Sequence, residues 1–330
     1  MAQTPKRADQ ADRDRPSTGR VLMMSLGGVL AVVLVVVGAI GIYLNAIRNS
    51  FDDNVQRVDG LVTATPKAKG ESLNYLVMGS DSRDPKNDRG RSDALMLVHV
   101  SGDRKAVYII SYPRDMWVPI PDHGTAKINA AYAYGGIPLT VRTMEQVNQV
   151  PIDHVAVTDF QGFQDITTTL GGVTVNNPNH SSSDGFTFPQ GQITIQGPQA
   201  LAYVRERYDL PRGDFDRAER QRTVVQAIMR KAVSTEVLTN PGQFTNFVGT
   251  FSRYLTVDAS LTDQELLSTA MSMRGITEND IYLMQAPVSG TGTSADGQSI
   301  DIVDQAKLAE LQAALKNDTV DQYRAKYPEG

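Results

Sequence analysis

Aspartate and arginine recur together at the ends of three short apolar segments, and strand geometry alone brings them to one place. Residues 75–78 read as a strand running into Gly79-Ser-Asp-Ser-Arg83, and residues 94–100 as the next, entered through Arg91-Ser-Asp93. Residues 106–111 read as a third, left through Tyr112-Pro-Arg-Asp115. The link Ser101-Gly-Asp-Arg-Lys105 has hairpin length and hairpin chemistry. In an antiparallel meander, the end of the first strand, the start of the second and the end of the third share one sheet edge. Asp81, Arg83, Arg91, Asp93, Arg114 and Asp115 then converge. Such a mixture suits a phosphate or pyrophosphate accompanied by a divalent cation: carboxylates hold the hard cation and guanidinium forks hold the phosphoryl oxygens.

A second set of arginines arrives much later. Residues 197–208 read as a helix carrying Arg205 and Arg207; two positions apart, they do not share a face, although side chains of that length can converge. The next helix, capped by Asp214 or Asp216, runs to about residue 233. Spacings of three and four put Arg217 on one face with Arg220 and with Gln221. A helix N-terminus also gathers backbone donors that favour an anion. Each group has a plainer reading: Ser80-Asp-Ser82 as a turn, Arg114 and Asp115 as a structural ion pair, the helical arginines as a solvated face, Lys127 as an exposed lysine.

The elements that must hold these residues alternate. Residues 127–134 read as a helix stopped by Gly135-Gly136, and Pro138 opens another running to about Asn148. Residues 154–160 read as a strand; a short helix closes at Gly171-Gly172, and Val173-Thr-Val175 is a strand again. The Ser, Asp, Asn and Gly of residues 176–191 read as a loose segment. Val224, Val225, Ile228, Met229 and Ala232 recur at a helical period, a pattern that serves a core more often than a ligand. Thr262-Asp-Gln-Glu265 is a capping box, residues 281–284 a strand, and the end is helical from about residue 304. The pattern predicts an α/β fold with at least some antiparallel pairing.

Composition narrows the classes. The net charge of −5 leaves no nucleic-acid footprint, and the absence of cysteine excludes disulfides, a thiol nucleophile and thiolate metal sites. His99, His123, His154 and His180 show no metal-ligand spacing; His99, inside a strand, reads as half-buried structure and Trp117 as packing. Neither a G-x-S-x-G elbow nor a phosphate-binding G-x-x-x-x-G-K-[ST] loop occurs. Residues 21–44 form an apolar run of bilayer-spanning length, preceded by Lys6, Arg7, Arg13, Arg15 and Arg20. This predicts a cytoplasmic tail over 1–20, a single membrane-spanning helix over 21–44, a polar stalk over 45–70 and an extracytoplasmic domain over 71–330. A cleaved signal peptide competes with that reading, but the run exceeds a usual signal core and no small-x-small site follows it.

In order, the chain carries Gly79-Ser-Asp-Ser-Arg83, Arg91-Ser-Asp93, Tyr112-Pro-Arg-Asp115, Lys127-Ile-Asn129 and Leu170-Gly-Gly-Val173. Gly197-Pro-Gln-Ala-Leu-Ala-Tyr-Val-Arg-Glu-Arg207 and Gly213-Asp-Phe-Asp-Arg-Ala-Glu-Arg-Gln221 follow. Together, behind a single anchor, this set resembles the LytR-CpsA-Psr family of bacterial cell-wall enzymes. The resemblance implies a mixed central sheet with helices on both sides and an apolar tunnel for a prenyl tail. It implies a Mg²⁺-dependent phosphotransferase that moves a glycopolymer from a polyprenyl-pyrophosphate carrier to peptidoglycan and releases polyprenyl phosphate. By the family pattern Asp81 and Asp93 serve the metal, while Arg91, Arg114, Arg205, Arg207, Arg217 and Gln221 line the pyrophosphate; Arg83 and Lys127 are further candidates for it. Two departures stand out: Arg222 where a second glutamine is frequent, and the extra acids Glu206 and Asp209.

In that chemistry an acceptor hydroxyl attacks the phosphorus bearing the glycan, and arginines and Mg²⁺ stabilise the growing charge. Asp214 is the first candidate for the base that takes the hydroxyl proton, with Asp115 and Asp81 as rivals. Two other classes stay open: a hydrolase of the same lipid pyrophosphate, and a non-catalytic, membrane-anchored binder or sensor of wall lipid.

Overall fold

The computed structural model describes residues 55–62, 67–68, 70–80, 92–232, 240, 242, 246, 249–250, 252–273 and 275–328. The tail, the apolar run and most of the stalk lie outside them. Among the described residues no helix is long and apolar enough to cross a membrane.

In chain order the first half contains β1 (Gln56–Val58), β2 (Leu73–Ser80), β3 (Ser92–Val100), β4 (Val107–Ser111), β5 (Trp117–Ile120) and β6 (Gly124–Lys127). Next come α1 (Ala130–Asn148), β7 (His154–Asp159), α2 (Phe160–Thr169), β8 (Val173–Asn177), β9 (Ser181–Ser183), β10 (Phe186–Phe188) and β11 (Gly191–Ile195). Then follow α3 (Gly197–Arg205), α4 (Asp214–Ala232), β12 (Leu255–Asp258), α5 (Asp263–Ser272) and β13 (Ile281–Gln285). The chain finishes through β14 (Val288–Thr293), β15 (Ser299–Val303), α6 (Gln305–Asn317) and α7 (Val320–Lys326).

Seven strands form one mixed sheet in the order β1-β12-β7-β2-β3-β4-β13. The predicted meander is present: β2 pairs antiparallel with β3, and β3 with β4. β7 runs parallel to β2 and β13 parallel to β4, so the carboxyl ends of β2, β4, β7 and β13 share an edge with the start of β3.

Period-two alternation sends the strand side chains to two cores. Leu76, Met78, Leu97 and Ile110 pack on one face against Tyr132, Val141 and Met144 of α1 and Leu311 and Leu315 of α6. Met96, Val98, Val107 and Ile109 face the other way, toward Val225 and Met229 of α4. Helices therefore flank both faces. Each large side chain so buried contributes about 1.5–3 kcal/mol.

Several elements differ from the sequence reading. Lys127 ends a strand rather than starting a helix, because residues 117–127 fold into the β5–β6 hairpin. The expected break at Gly135-Gly136 is a kink inside α1, with Gly136 at φ 64°. The loose Ser-rich segment contains a short hairpin, β9 with β10, and β11 pairs back on β8. His99 is fully buried, hydrogen-bonded to Asn74 at 2.8 Å and to Asp318 at 3.0 Å.

Candidate active site

The shared strand edge opens into a cavity of about 440 Å³. Its charged wall is Arg114 from the segment after β4, Arg205 at the end of α3, Arg207 just beyond, and Arg217 and Gln221 on α4. Its apolar wall includes Met96, Phe160, Phe163, Leu201, Val204 and Val225. The two arginine groups, far apart in sequence, thus border one space. An anionic head and an apolar chain of the same molecule could both be held there.

Local chemistry explains how Arg205 and Arg207 reach the same cavity. α3 stops at Arg205 because Glu206 turns extended, at φ −63° and ψ 134°. The Glu206 carboxylate is buried and accepts the backbone N–H groups of Tyr208 and Asp209. Burial would push this carboxyl up, but the bonds from the Asp209 amide, the Ser183 hydroxyl and the Tyr208 and Arg207 amides hold it below the usual range. The acid that departs from the family pattern is thus a staple for the turn presenting Arg207. Arg207 donates to the Tyr208 hydroxyl at 2.9 Å and lies over its ring, while Arg205 lies over Phe160 at 5.2 Å from the centroid.

On α4 the helical period sorts the side chains. Arg217 and Gln221 line the cavity together, and Gln221 also reaches the Val204 carbonyl at 3.4 Å. Arg220, expected on the same face, is buried elsewhere: it donates to Asn177 and Ser181, each at 2.9 Å, and stacks over Tyr203. Three residues advance about 300° around a helix, and the Asn177–Ser181 segment captures the guanidinium from that side. The apolar stripe divides likewise: Val224 is core and Val225 lines the cavity. Asp216 is buried in the first turn, accepting Arg212 N–H at 2.8 Å and Arg212 Nε at 2.7 Å, rather than capping α4.

Arg114, Arg217 and Gln221 also border a second cavity of about 270 Å³, with Asp115, Arg222 and Gln285. Asp115 stands 3.0 Å from the Lys127 ammonium and 3.8 Å from Arg114 Nε. Lys127 lines neither cavity; it holds Asp115 instead. Asp81, Arg83 and Arg91 lie outside the described residues, as do the side chains of Asp93 and Asp214. The backbone of Asp93 is nonetheless informative. Gly79 pairs with Ala94 and Ser80 with Ser92, so Asp93 is the extra residue of a bulge at the strand edge. Bulges at sheet rims commonly re-aim side chains beside active sites. Asp81 follows Ser80 directly in sequence, and carboxylates are the donor type that suits a hard divalent cation; among the described residues no cluster of acids or histidines is placed to hold one.

Sequence reasoning missed Asp159, Phe160, Phe163 and Tyr208 as cavity residues. Asp159 caps α2 through Gly162 N–H at 2.7 Å, and its position between a strand and a helix was the available signal.

The model of the LytR_cpsA_psr family matches residues 42–317. The polyisoprenyl-teichoic acid–peptidoglycan teichoic acid transferase TagU of Bacillus subtilis is 31% identical over 312 residues, covering 92% of this chain and 97% of its own. The transferase of the same name from Enterococcus faecalis is 31% identical over 305 residues, covering 91% and 98%. Among solved structures, B. subtilis TagV superposes with a TM-score of 0.66 at 28% identity, covering 76% of this chain and 98% of TagV. TagT bound to LI-WTA superposes with a TM-score of 0.62 at 29% identity, covering 81% and 99%.

Proposed function

The chain belongs to the LytR_cpsA_psr family, and from that premise we propose that it is a phosphotransferase carrying a glycopolymer from a polyprenyl-pyrophosphate carrier to peptidoglycan. One observation carries this reading: Arg114, Arg205, Arg207, Arg217 and Gln221 border the same cavity as a wall of Phe, Leu, Val and Met. That combination fits an amphiphile with a long apolar chain and a phosphorylated head. The names of the transferases TagU support the reaction class.

In the reaction, the acceptor oxygen forms a bond to the phosphorus bearing the glycan. The bond from that phosphorus to the bridging oxygen breaks, and polyprenyl phosphate leaves with the electron pair. Negative charge grows on the bridging and equatorial oxygens, where positioned guanidinium groups stabilise it most. Asp81 and Asp93 would hold Mg²⁺, which when bound neutralises phosphoryl charge. The acceptor proton passes to a carboxylate. Asp115, which stands at the second cavity beside Arg114, is the favoured candidate, with Asp214 and Asp81 as alternatives. Residues 21–44 serve as the membrane anchor, with 1–20 cytoplasmic and 71–330 outside.

The test is to incubate the protein with lipid-linked glycan labelled in the sugar, Mg²⁺ and peptidoglycan. Label on the wall polymer is the expected outcome. Free glycan phosphate would make it a hydrolase, and unchanged lipid a binder.

A further inference from the structure

Arg114, Arg217 and Gln221, with Ala94 and Met96, are the wall shared by two cavities that differ in their remaining lining. Beyond the shared residues, the larger cavity offers mostly aromatic and aliphatic side chains. The smaller adds, beside Leu95, Tyr112 and Pro113, the guanidinium groups of Arg212 and Arg222 and the polar Ser111, Asp115, Gln285, Thr291, Ser299 and Asp301. At about 270 Å³ it sits just under the ~300–1,000 Å³ typical of small-molecule pockets, a size for a sugar unit rather than a polymer.

We propose that this smaller cavity is the acceptor subsite, which receives the hydroxylated sugar of the wall polymer whose oxygen attacks the phosphorus. The inference rests on the transferase reading and adds to it where the nucleophile sits. Attacking and leaving oxygens lie roughly in line in phosphoryl transfer. The apolar cavity takes the leaving polyprenyl phosphate, so the nucleophile must come from across the shared wall. The smaller cavity lies there, and its mixed donors and acceptors match a polyol, which needs both at once.

This subsite is built rather than a gap between loops. Arg222 of α4 donates to Gln285 Oε1 and, at 3.4 Å, to Ser111 Oγ, tying a helix to the ends of β13 and β4. The Asp301 N–H donates to the Asp115 carbonyl at 2.9 Å, which fastens the β14–β15 hairpin against the segment after β4. Asp115, which the transferase reading favours as proton acceptor, therefore borders the cavity holding the hydroxyl. Arg222 stands where this chain departs from the common family pattern, and it shapes this cavity rather than the lipid one. It is a positioning residue for Gln285.

The test uses the full-length chain in detergent, a soluble disaccharide-peptide fragment of peptidoglycan, and farnesyl pyrophosphate. Gln285→Ala removes a polar contact, and Ser299→Trp fills the cavity from an exposed position. Both variants are expected to weaken fragment binding, and to raise the fragment KM in turnover, by tenfold or more. The Kd for farnesyl pyrophosphate should stay within twofold in both; melting should be unchanged in Ser299→Trp, whereas Gln285→Ala, which takes the acceptor from Arg222, should melt lower yet stay folded. Fragment binding that is unaltered in both folded variants overturns the proposal. A raised KM for the lipid-linked glycan, with fragment binding intact, also overturns it and gives the cavity to the donor sugar instead. Absence of turnover in the parent protein would sink the transferase reading alone, because fragment binding is read without turnover.

Discussion

If the two arginine groups hold one ligand, Arg114 and Arg205 must be energetically coupled through it. A hydrogen bond to a charged group contributes about 1.5–3 kcal/mol, so a loss of ~2 kcal/mol in Arg114→Ala corresponds to roughly 30-fold weaker binding. Arg205→Ala should cost a similar amount in binding; its contact over Phe160, worth about 0.5–1 kcal/mol at a partly exposed site, is made without ligand and so tells on melting rather than on affinity. Arg205→Lys separates charge from geometry: it keeps the charge and loses the planar fork, and should still weaken binding. With a shared ligand, the double variant should depart from the sum of the singles by about 0.5 kcal/mol or more. Titration calorimetry with farnesyl pyrophosphate reads all four affinities, and thermal melts check folding, since Arg205 is exposed. Unchanged binding in either folded single variant would refute a shared site and return the helical arginines to the role of a solvated face.

Asp81→Ala and Asp93→Ala should each cut Mg²⁺-dependent turnover sharply while melting stays unchanged; full activity with the same Mg²⁺ titration in both removes them from the metal site. Asp258, buried with bonds from His154, Ser260 and the Val155 amide, tells on acid stability: burial would raise its carboxyl, but those bonds hold it below the ordinary 3.8. Its contribution is therefore present above that value and lost as pH falls beneath it, so the melting gap between the parent and Asp258→Asn should narrow below about pH 4; a gap constant to lower pH contradicts this. Gly162→Ala should destabilise by about 1–3 kcal/mol in denaturant melts, because the added Cβ would press on Tyr254 and come within 2.7 Å of Thr158 Oγ1; parent-like stability would mean the neighbours yield freely. A reporter active only in the cytoplasm should be silent when fused after Gly330; activity there would overturn the predicted orientation.

The meander was legible because its determinants are local: short continuous apolar runs and a five-residue link of hairpin chemistry. The convergence of Arg205 and Arg207 was not, since it depends on Glu206 breaking α3 and binding two amides two and three residues on. The β9–β10 hairpin carried a readable signal in Asp184-Gly185, both at positive φ, but the three serines before it gave the first strand no apolar period. The hairpin of residues 117–127 hid its turn in the same way, with Asp122 and Gly124 at positive φ between an apolar strand and a mostly small-residue one. Arg220 shows the limit of helical spacing: it reports which residues share a face, while the partners waiting beside that face decide where a side chain goes.

The antiparallel insertion of β3 is what makes a charged edge possible. In a wholly parallel sheet, the residues before a strand and those after its neighbours stand at opposite edges. For a strand of nine residues such as β3, that separation is about 30 Å at ~3.3 Å per residue. With β3 reversed between β2 and β4, its first residues, Ser92 and Asp93, come to the edge where β2 ends and the chain leaves β4 toward Arg114. β7, parallel to β2, adds Asp159 and Phe160 there, and β13, parallel to β4, adds Gln285. One reversed strand thus brings backbone that precedes a strand to an edge of strand ends. The strands beyond its two partners then divide that edge, β7 contributing to the larger, mostly apolar cavity and β13 to the smaller, more polar one.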